Sequence, residues 1–160
     1  MSEVEREYKE LVELVSKKSL DFDFPNTSIA HAKLVIGKII ETSSETVNIF
    51  SRNLKHEIFD NGEVVNSIKA NDRVSVNILL EEPDQESNVK FSELKNVKIK
   101  TVNEKLKNYD YFIVGDKTKL RVCSRDKPHA AVVNFCQKKK GGELDRIFKE
   151  VWDNITVVPS

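Results

Sequence analysis

Three strand-like stretches lie in close succession between residues 109 and 137, separated only by tight turns. YDYFIVGD, KLRVCSR and HAAVVNFCQ are rich in β-branched and aromatic residues. Gly115-Asp116-Lys117-Thr118 and Asp126-Lys127-Pro128 supply the turns between them. Connections this short allow only antiparallel neighbours, so the C-terminal half of the chain must build a meander.

The N-terminal half alternates instead. Residues 3–17, EVEREYKELVELVSK, place Val4, Tyr8, Leu11, Val12 and Val15 on one helical face, with acids at the start and lysines at the end. LDFDFPN reads as a short extended segment or linker ending near Pro25. A second helix is predicted over 28–42, capped by Asn26, Thr27 or Ser28, and its many apolar residues mark it as largely buried. TVNIFS (46–51) is a predicted strand, and 54–70 a helix broken near Asn61-Gly62. RVSVNILLEE (73–82) is a strand deep in a sheet, with Glu81 and Glu82 ending it in solvent. Pro83 to Val89 is predicted as a polar loop, FSELKN as one helical turn and VKIKTV (97–102) as a strand. After a QKKKGG loop, Leu144, Ile147, Phe148, Val151, Trp152 and Ile155 define an amphipathic helix over 143–155.

Alternation followed by a meander predicts an α+β fold, a mixed sheet flanked by helices. Residues 1–25 form an N-terminal helix and linker, and 26–160 the mixed-sheet domain. At 160 residues and 39% hydrophobic content the chain can bury a sizeable core. No apolar run approaches the ~20 residues of a membrane span. MSEVEREYKE has no secretory pattern, and two cysteines make no disulfide framework, so a reducing cytoplasm is the expected compartment.

Net charge is zero but uneven. Residues 101–140 carry ten cations, among them Lys105, Lys107, Lys117, Lys119, Arg121 and Arg125, against Glu104, Asp110, Asp116 and Asp126. Such a segment is either a solvated edge that discourages strand aggregation or a face that attracts phosphates.

Residues 31–38, HAKLVIGK, carry an H-x-K with Lys38 where a phosphodiesterase would have an acid. On a helix His31 and Lys33 diverge by about 200°, whereas that chemistry needs both on one side of a strand. The near-match is therefore accidental. YDYFIVGDKTKLRVCSRD, in contrast, resembles the strand-turn-strand of the phospholipase D-like superfamily. Aligning the motif's aspartate with Asp116 puts Tyr109 in the place of its histidine and Tyr111 in the place of its lysine. The helix AHAKLVIGKIIETSSE, the strand TVNIFS and the final amphipathic helix follow the family's order, so the resemblance spans about 28–158.

That resemblance implies a degenerate, single-unit member. The family's histidine attacks phosphorus and its lysine steadies the phosphoryl oxygens. A tyrosine, with an ordinary pKa of ~10, does neither readily. Active members need two units, so the likeness implies a homodimer or pairing with a related chain. It suggests a catalytically silent binding or regulatory module, without cofactor, of a kind found beside bacterial defence or mobile-element systems. Lys117, Lys119, Arg121 and Arg125 are candidates for phosphate or nucleic-acid contact, and a nucleic-acid-binding module without catalysis is a further reading. Tyr109, Tyr111 and Ile113 share one side and could stack bases, plug a vacated groove or form a dimer seam.

Other constellations carry less. Pro83-Asp84 with Glu93-Leu94-Lys95 mimics the P-D…E-x-K of restriction-type nucleases, the alternative enzymatic reading, in which the acids would hold Mg²⁺. Cys123, His129 and Cys136 could approach on neighbouring strands, but no C-x-x-C accompanies them, so buried thiols are expected rather than zinc. His31 and His56 lack an evident nucleophilic partner. Gly141-Gly142 could open a helix against a phosphate, yet a nucleotide P-loop is absent.

Overall fold

The computed structural model describes residues 2–54, 58–59, 62–102 and 109–155. His56, Glu104, Lys105 and Lys107 lie outside them. The elements run α1 (Glu3–Lys18), β1 (Phe24–Asn26), α2 (Ile29–Thr42), β2 (Thr46–Ser51), α3 (Glu63–Ala70), β3 (Ser75–Leu80), α4 (Gln85–Ser92), β4 (Val97–Thr101), β5 (Tyr111–Gly115), β6 (Lys119–Ser124), β7 (Lys127–Asn134) and α5 (Lys138–Asn154).

The strands form one sheet in the order β1-β7-β6-β5-β2-β3-β4. β2, β3 and β4 are parallel, with Ile49 opposite Ile78 and Ile78 opposite Ile99. On its other side β2 meets β5 antiparallel, Ile49 opposite Ile113, and the β5-β6-β7 meander continues outward to β1. The α+β expectation holds: helices on both faces of a mixed sheet.

Strand alternation divides the core. Val47, Ile49, Val76, Ile78, Ile113 and Val133 point to the face covered by α1, α2 and α3, with Phe91 of α4 in the same cluster. Phe50, Leu79, Phe112, Val114 and Leu120 point to the face covered by α5 through Phe148. The periodicity of α2 explains its burial, with Ala32, Val35, Ile36, Ile39 and Ile40 all at 0% exposure. Ser28 caps it by accepting from the His31 amide at 3.1 Å. HAKLVIGK is thus helical, and the His31 ring stacks on Tyr8 of α1 at 3.8 Å.

Several boundaries differ from the sequence expectation: the turn expected at Asp126-Lys127-Pro128 is tighter, since β7 already begins at Lys127, and three others concern helices. Residues 85–89, expected in a polar loop, belong to the helix α4 (Gln85–Ser92), which ends inside the helical turn expected at FSELKN; fully buried Phe91 anchors it, and Asp84 accepts from Ser87 Oγ at 2.9 Å at its start. One aromatic anchor holds a helix whose remaining residues are mostly polar, so the apolar period is too weak to read. α5 starts at Lys138, not after the glycines. It crosses the β5–β6 turn so closely that a Cβ at Gly141 would collide with the Lys117 carbonyl. Gly141 permits this approach, and neither glycine breaks the helix. The residue capping the helix start is therefore Gln137, whose amide donates to Thr118 O at 2.9 Å, and Gly141-Gly142 is not a phosphate-facing terminus. α3 begins only after Gly62, whose φ of 81° suits glycine.

α5 also brings a polar group inside. Asp145, 3% exposed, accepts from Asn48 Nδ2 at 2.8 Å, Asn48 in turn accepts from Asn77 Nδ2 at 3.0 Å, and Lys149 pairs with Asp145 at 3.2 Å.

Candidate ligand-binding site

β2 sits where the sheet changes from parallel to antiparallel. Loops at the carboxyl ends of parallel strands diverge at such a place and leave a crevice. Four side chains converge there: Arg52 directly follows β2, Glu81 directly follows β3, Tyr111 opens β5, and Arg125 directly follows β6. β5 and β6 are antiparallel to each other, and β5 to β2, so the start of β5 and the end of β6 reach the same edge.

The Tyr111 hydroxyl donates to Glu81 Oε1 at 2.6 Å and accepts from Arg52 Nε at 3.2 Å. Arg125 Nη2 grips both Glu81 oxygens, at 2.7 and 3.0 Å, and its guanidinium lies 4.7 Å from the Tyr111 ring centre. Arg125 Nη1 donates to the Tyr109 carbonyl at 3.1 Å, and Arg52 Nη2 to the Arg125 carbonyl at 3.4 Å. The Glu81 side chain is 1% exposed, which corrects its expected place in solvent. A strand-ending acid is drawn inside because a phenol and a guanidinium satisfy both of its oxygens.

Burial raises the Tyr111 pKa, and the hydrogen bond to Glu81 raises it further. The phenol is therefore a hydrogen-bond donor and not a nucleophile at neutral pH. Burial likewise raises the Cys123 thiol, against the opposing effect of Arg121.

Beside this cluster opens a cavity of about 520 Å³. Phe50, Ile58, Phe59 and Phe112 contribute apolar walls, and Arg52, Arg121, Arg125, Asp126, Tyr111 and His129 the polar ones. Arg121 is 3% exposed; its Nε donates to Asn26 Oδ1 at 2.7 Å, and Asn26 Nδ2 donates to the Tyr8 hydroxyl at 3.1 Å. Burial lowers the Arg121 pKa, against a raising effect of Cys123.

The residues singled out from sequence are distributed unequally. Tyr111 is central to the site, whereas the Tyr109 side chain is 41% exposed and only its carbonyl joins the cluster. Asp116 lies at the far end of β5, in the turn, with φ 49°. Its carboxylate accepts from the backbone amides of Ser44, Glu45 and Thr46 at 2.8, 2.8 and 3.1 Å, and pairs with Lys119 at 3.3 Å. Lys117 is exposed in the same turn. Of the four candidate cations, Arg121 and Arg125 line the cavity, while Lys117 and Lys119 occupy the opposite end of the hairpin.

Asp84 and Glu93 flank α4, roughly 13 Å apart along its axis, so α4 separates the two acids of the nuclease-like pattern. His129 and Cys136 are separated by most of β7, and no group of three His, Cys, Asp or Glu among the described residues could hold a metal ion. Arg52 carried no weight in the sequence reading. The usable signal was its place, and that of Glu81, immediately after a strand of the parallel set.

No protein-family model and no curated protein matches the sequence. Solved structures do match. Nuc from Salmonella typhimurium, a phospholipase D family member, superposes with a TM-score of 0.67 at 14% identity, covering 88% of this chain and 100% of its own. NucT from Helicobacter pylori gives 0.62 at 13% identity, covering 87% and 99%. TrmBL2, described as an archaeal chromatin protein with a novel mode of DNA binding, gives 0.60 at 13% identity, covering 97% of this chain and 62% of its own. The chain has the phospholipase D-like fold. No helix among the described residues is long and apolar enough to cross a membrane.

Proposed function

We propose that the chain is a non-catalytic phospholipase D-like module that binds a ligand through the crevice at the carboxyl edge of its parallel strands. The observation carrying this reading is the Tyr111 hydroxyl, locked 2.6 Å from buried Glu81 where the sequence resemblance puts the family's lysine. The histidine position falls on Tyr109, whose side chain points to solvent. A pair suited to attacking phosphorus is replaced by a closed network of phenol, carboxylate and two guanidiniums. That network fixes the shape of a pocket but offers no activated nucleophile.

The test is turnover. Purified chain incubated with bis(p-nitrophenyl) phosphate, and with single- and double-stranded DNA, with and without Mg²⁺, is expected to release no product above the blank. Hydrolysis that disappears in Tyr109→Phe or Tyr111→Phe would overturn the reading.

Association with a second copy or a related chain belongs to the same proposal. Val132, 53% exposed, and Pro25 opposite it on β1 offer apolar sheet surface in support. Sedimentation equilibrium is expected to give a dimer mass, and a monomer at high concentration would remove this part.

A further inference from the structure

The seven-stranded sheet does not close, and its two edges are unlike. β1 is three residues long and carries Pro25, which has no N–H to offer, so that edge is blunted. β4 is five residues, Val97–Thr101, with neither proline nor glycine, and its register with β3 runs without a break. Val76 N donates to Asn96 O at 2.8 Å, and Val102 N to Leu80 O at 2.9 Å. Alternate residues of a parallel strand serve a given neighbour. Lys98 and Lys100 therefore bond to β3, while the amides and carbonyls of Ile99 and Thr101 point outward. No strand among the described residues pairs with that outer edge.

The side chains along β4 differ by face. Val97 is buried and Ile99 half-buried, both against the apolar cluster that holds Phe91 and Leu94. Lys98 and Lys100 stand on the other face. The Lys100 ammonium donates to Trp152 O at 2.9 Å and lies 4.5 Å from the centre of the Trp152 ring, so it is already engaged. Lys98 is exposed and makes no ion pair among the described residues. On α5, which covers this face, Asp145 pairs with Lys149 and Glu150 with Arg146. Two copies of β4 set edge to edge would bring lysines against lysines, which opposes self-pairing. A strand with carboxylates on the lysine face and apolar side chains beside Ile99 would be attracted where a second copy is repelled.

We propose that the outer edge of β4 docks an extended segment of another protein in which acidic and apolar residues alternate. The backbone of that segment bonds to Ile99 and Thr101, a carboxylate meets Lys98, and an apolar side chain extends the surface of Ile99. Docking at this edge depends neither on the crevice nor on the absence of catalysis.

Amide hydrogen exchange of the full chain, followed by NMR, tests it with three end-capped peptides of about seven residues. The first alternates glutamate and valine between terminal threonines. The second has lysine for each glutamate. The third is the glutamate peptide N-methylated on its central amides, which cannot pair as a strand. The glutamate peptide is expected to slow exchange at Ile99 and Thr101 saturably, with half the effect at about 1 mM or below. The lysine peptide is expected to bind about fivefold more weakly, and the N-methylated one to leave both amides unchanged. Lys98→Glu is expected to reverse the order of the two charged peptides, and its melting temperature without peptide shows that it is folded. Exchange at Ile99 and Thr101 unaffected by the glutamate peptide, equal binding of the two charged peptides, slowing by the N-methylated peptide, or an order that survives Lys98→Glu would each overturn the inference. Slowing confined to β1 and β7 would overturn it too, in favour of the opposite edge.

Discussion

Glu81→Ala is expected to unfold at a clearly lower urea concentration than the parent chain, with about 3 kcal/mol of stability lost. The substitution removes the acceptor for the Tyr111 hydroxyl and for Arg125 together. Arg125 is 21% exposed, so water recovers part of its hydration, and the loss stays at the lower end of what breaking a buried pair costs. Tyr111→Phe removes only the hydroxyl and is expected to cost about 1–2 kcal/mol. The double variant Glu81→Leu with Arg125→Met distinguishes two accounts. If the cost of Glu81→Ala comes from the stranded guanidinium and phenol, apolar replacement of the pair recovers most of the stability. If the double variant is as unstable as the single, the packing of residues 81 and 125 matters more than their charges, and the electrostatic account fails.

The second large effect is at Asp116. Asp116→Ala is expected to cost about 3 kcal/mol, from three backbone amides left without their carboxylate and from a left-handed backbone that suits alanine poorly. Asp116→Asn tolerates that backbone and keeps an acceptor, so about 1 kcal/mol is expected. Burial alone would raise the Asp116 pKa, but the amides of Ser44, Glu45 and Thr46, together with Lys119, outweigh it and hold the carboxyl below its ordinary range. The folded value thus lies below the unfolded one of about 4. The carboxylate contribution is complete above pH about 4 and is lost as pH falls through the folded value. Urea midpoints for parent and Asp116→Asn should differ by a constant amount from neutral pH to about 5 and converge below about 4. A gap that persists at low pH would show that charge is not what the amides recognise.

The two halves of the chain were legible to different degrees. β2, β3 and the meander could be read because alternation survives wherever each sheet face has its own apolar cover, as Ile49 and Phe50 show on opposite sides. α2 could be read because nearly its whole circumference is apolar. α4 was hidden, since Phe91 alone carries its burial, and the start of α5 was hidden because the reason for Gly141 lies in the distant Lys117 carbonyl. The site divided in the same way. Tyr111 could be found because it lies inside a motif-like strand. Glu81 and Arg52 carried only the weak signal of a place just after a parallel strand, because each acquires its role only when β3, β2 and β5 lie side by side, and residues 52, 81 and 111 are far apart in the chain. Asp116 can be read as a turn residue and as the aspartate of the motif-like stretch, and nothing local announces that Ser44 to Thr46 will present three amides to it.

The carboxylate that α5 carries beneath the sheet has a consequence for how that helix settles. An amphipathic cylinder lying on an oily surface can slide or rotate by one turn at little expense, since one phenylalanine contact resembles another. Asp145 forbids this: displaced by a turn, about 5.4 Å, it would lose the Asn48 amide and face hydrocarbon instead. This polar contact therefore acts as a locating pin, one that joins the Gln137 amide on Thr118 O and the close approach of Gly141 to the Lys117 carbonyl in giving the last helix one berth.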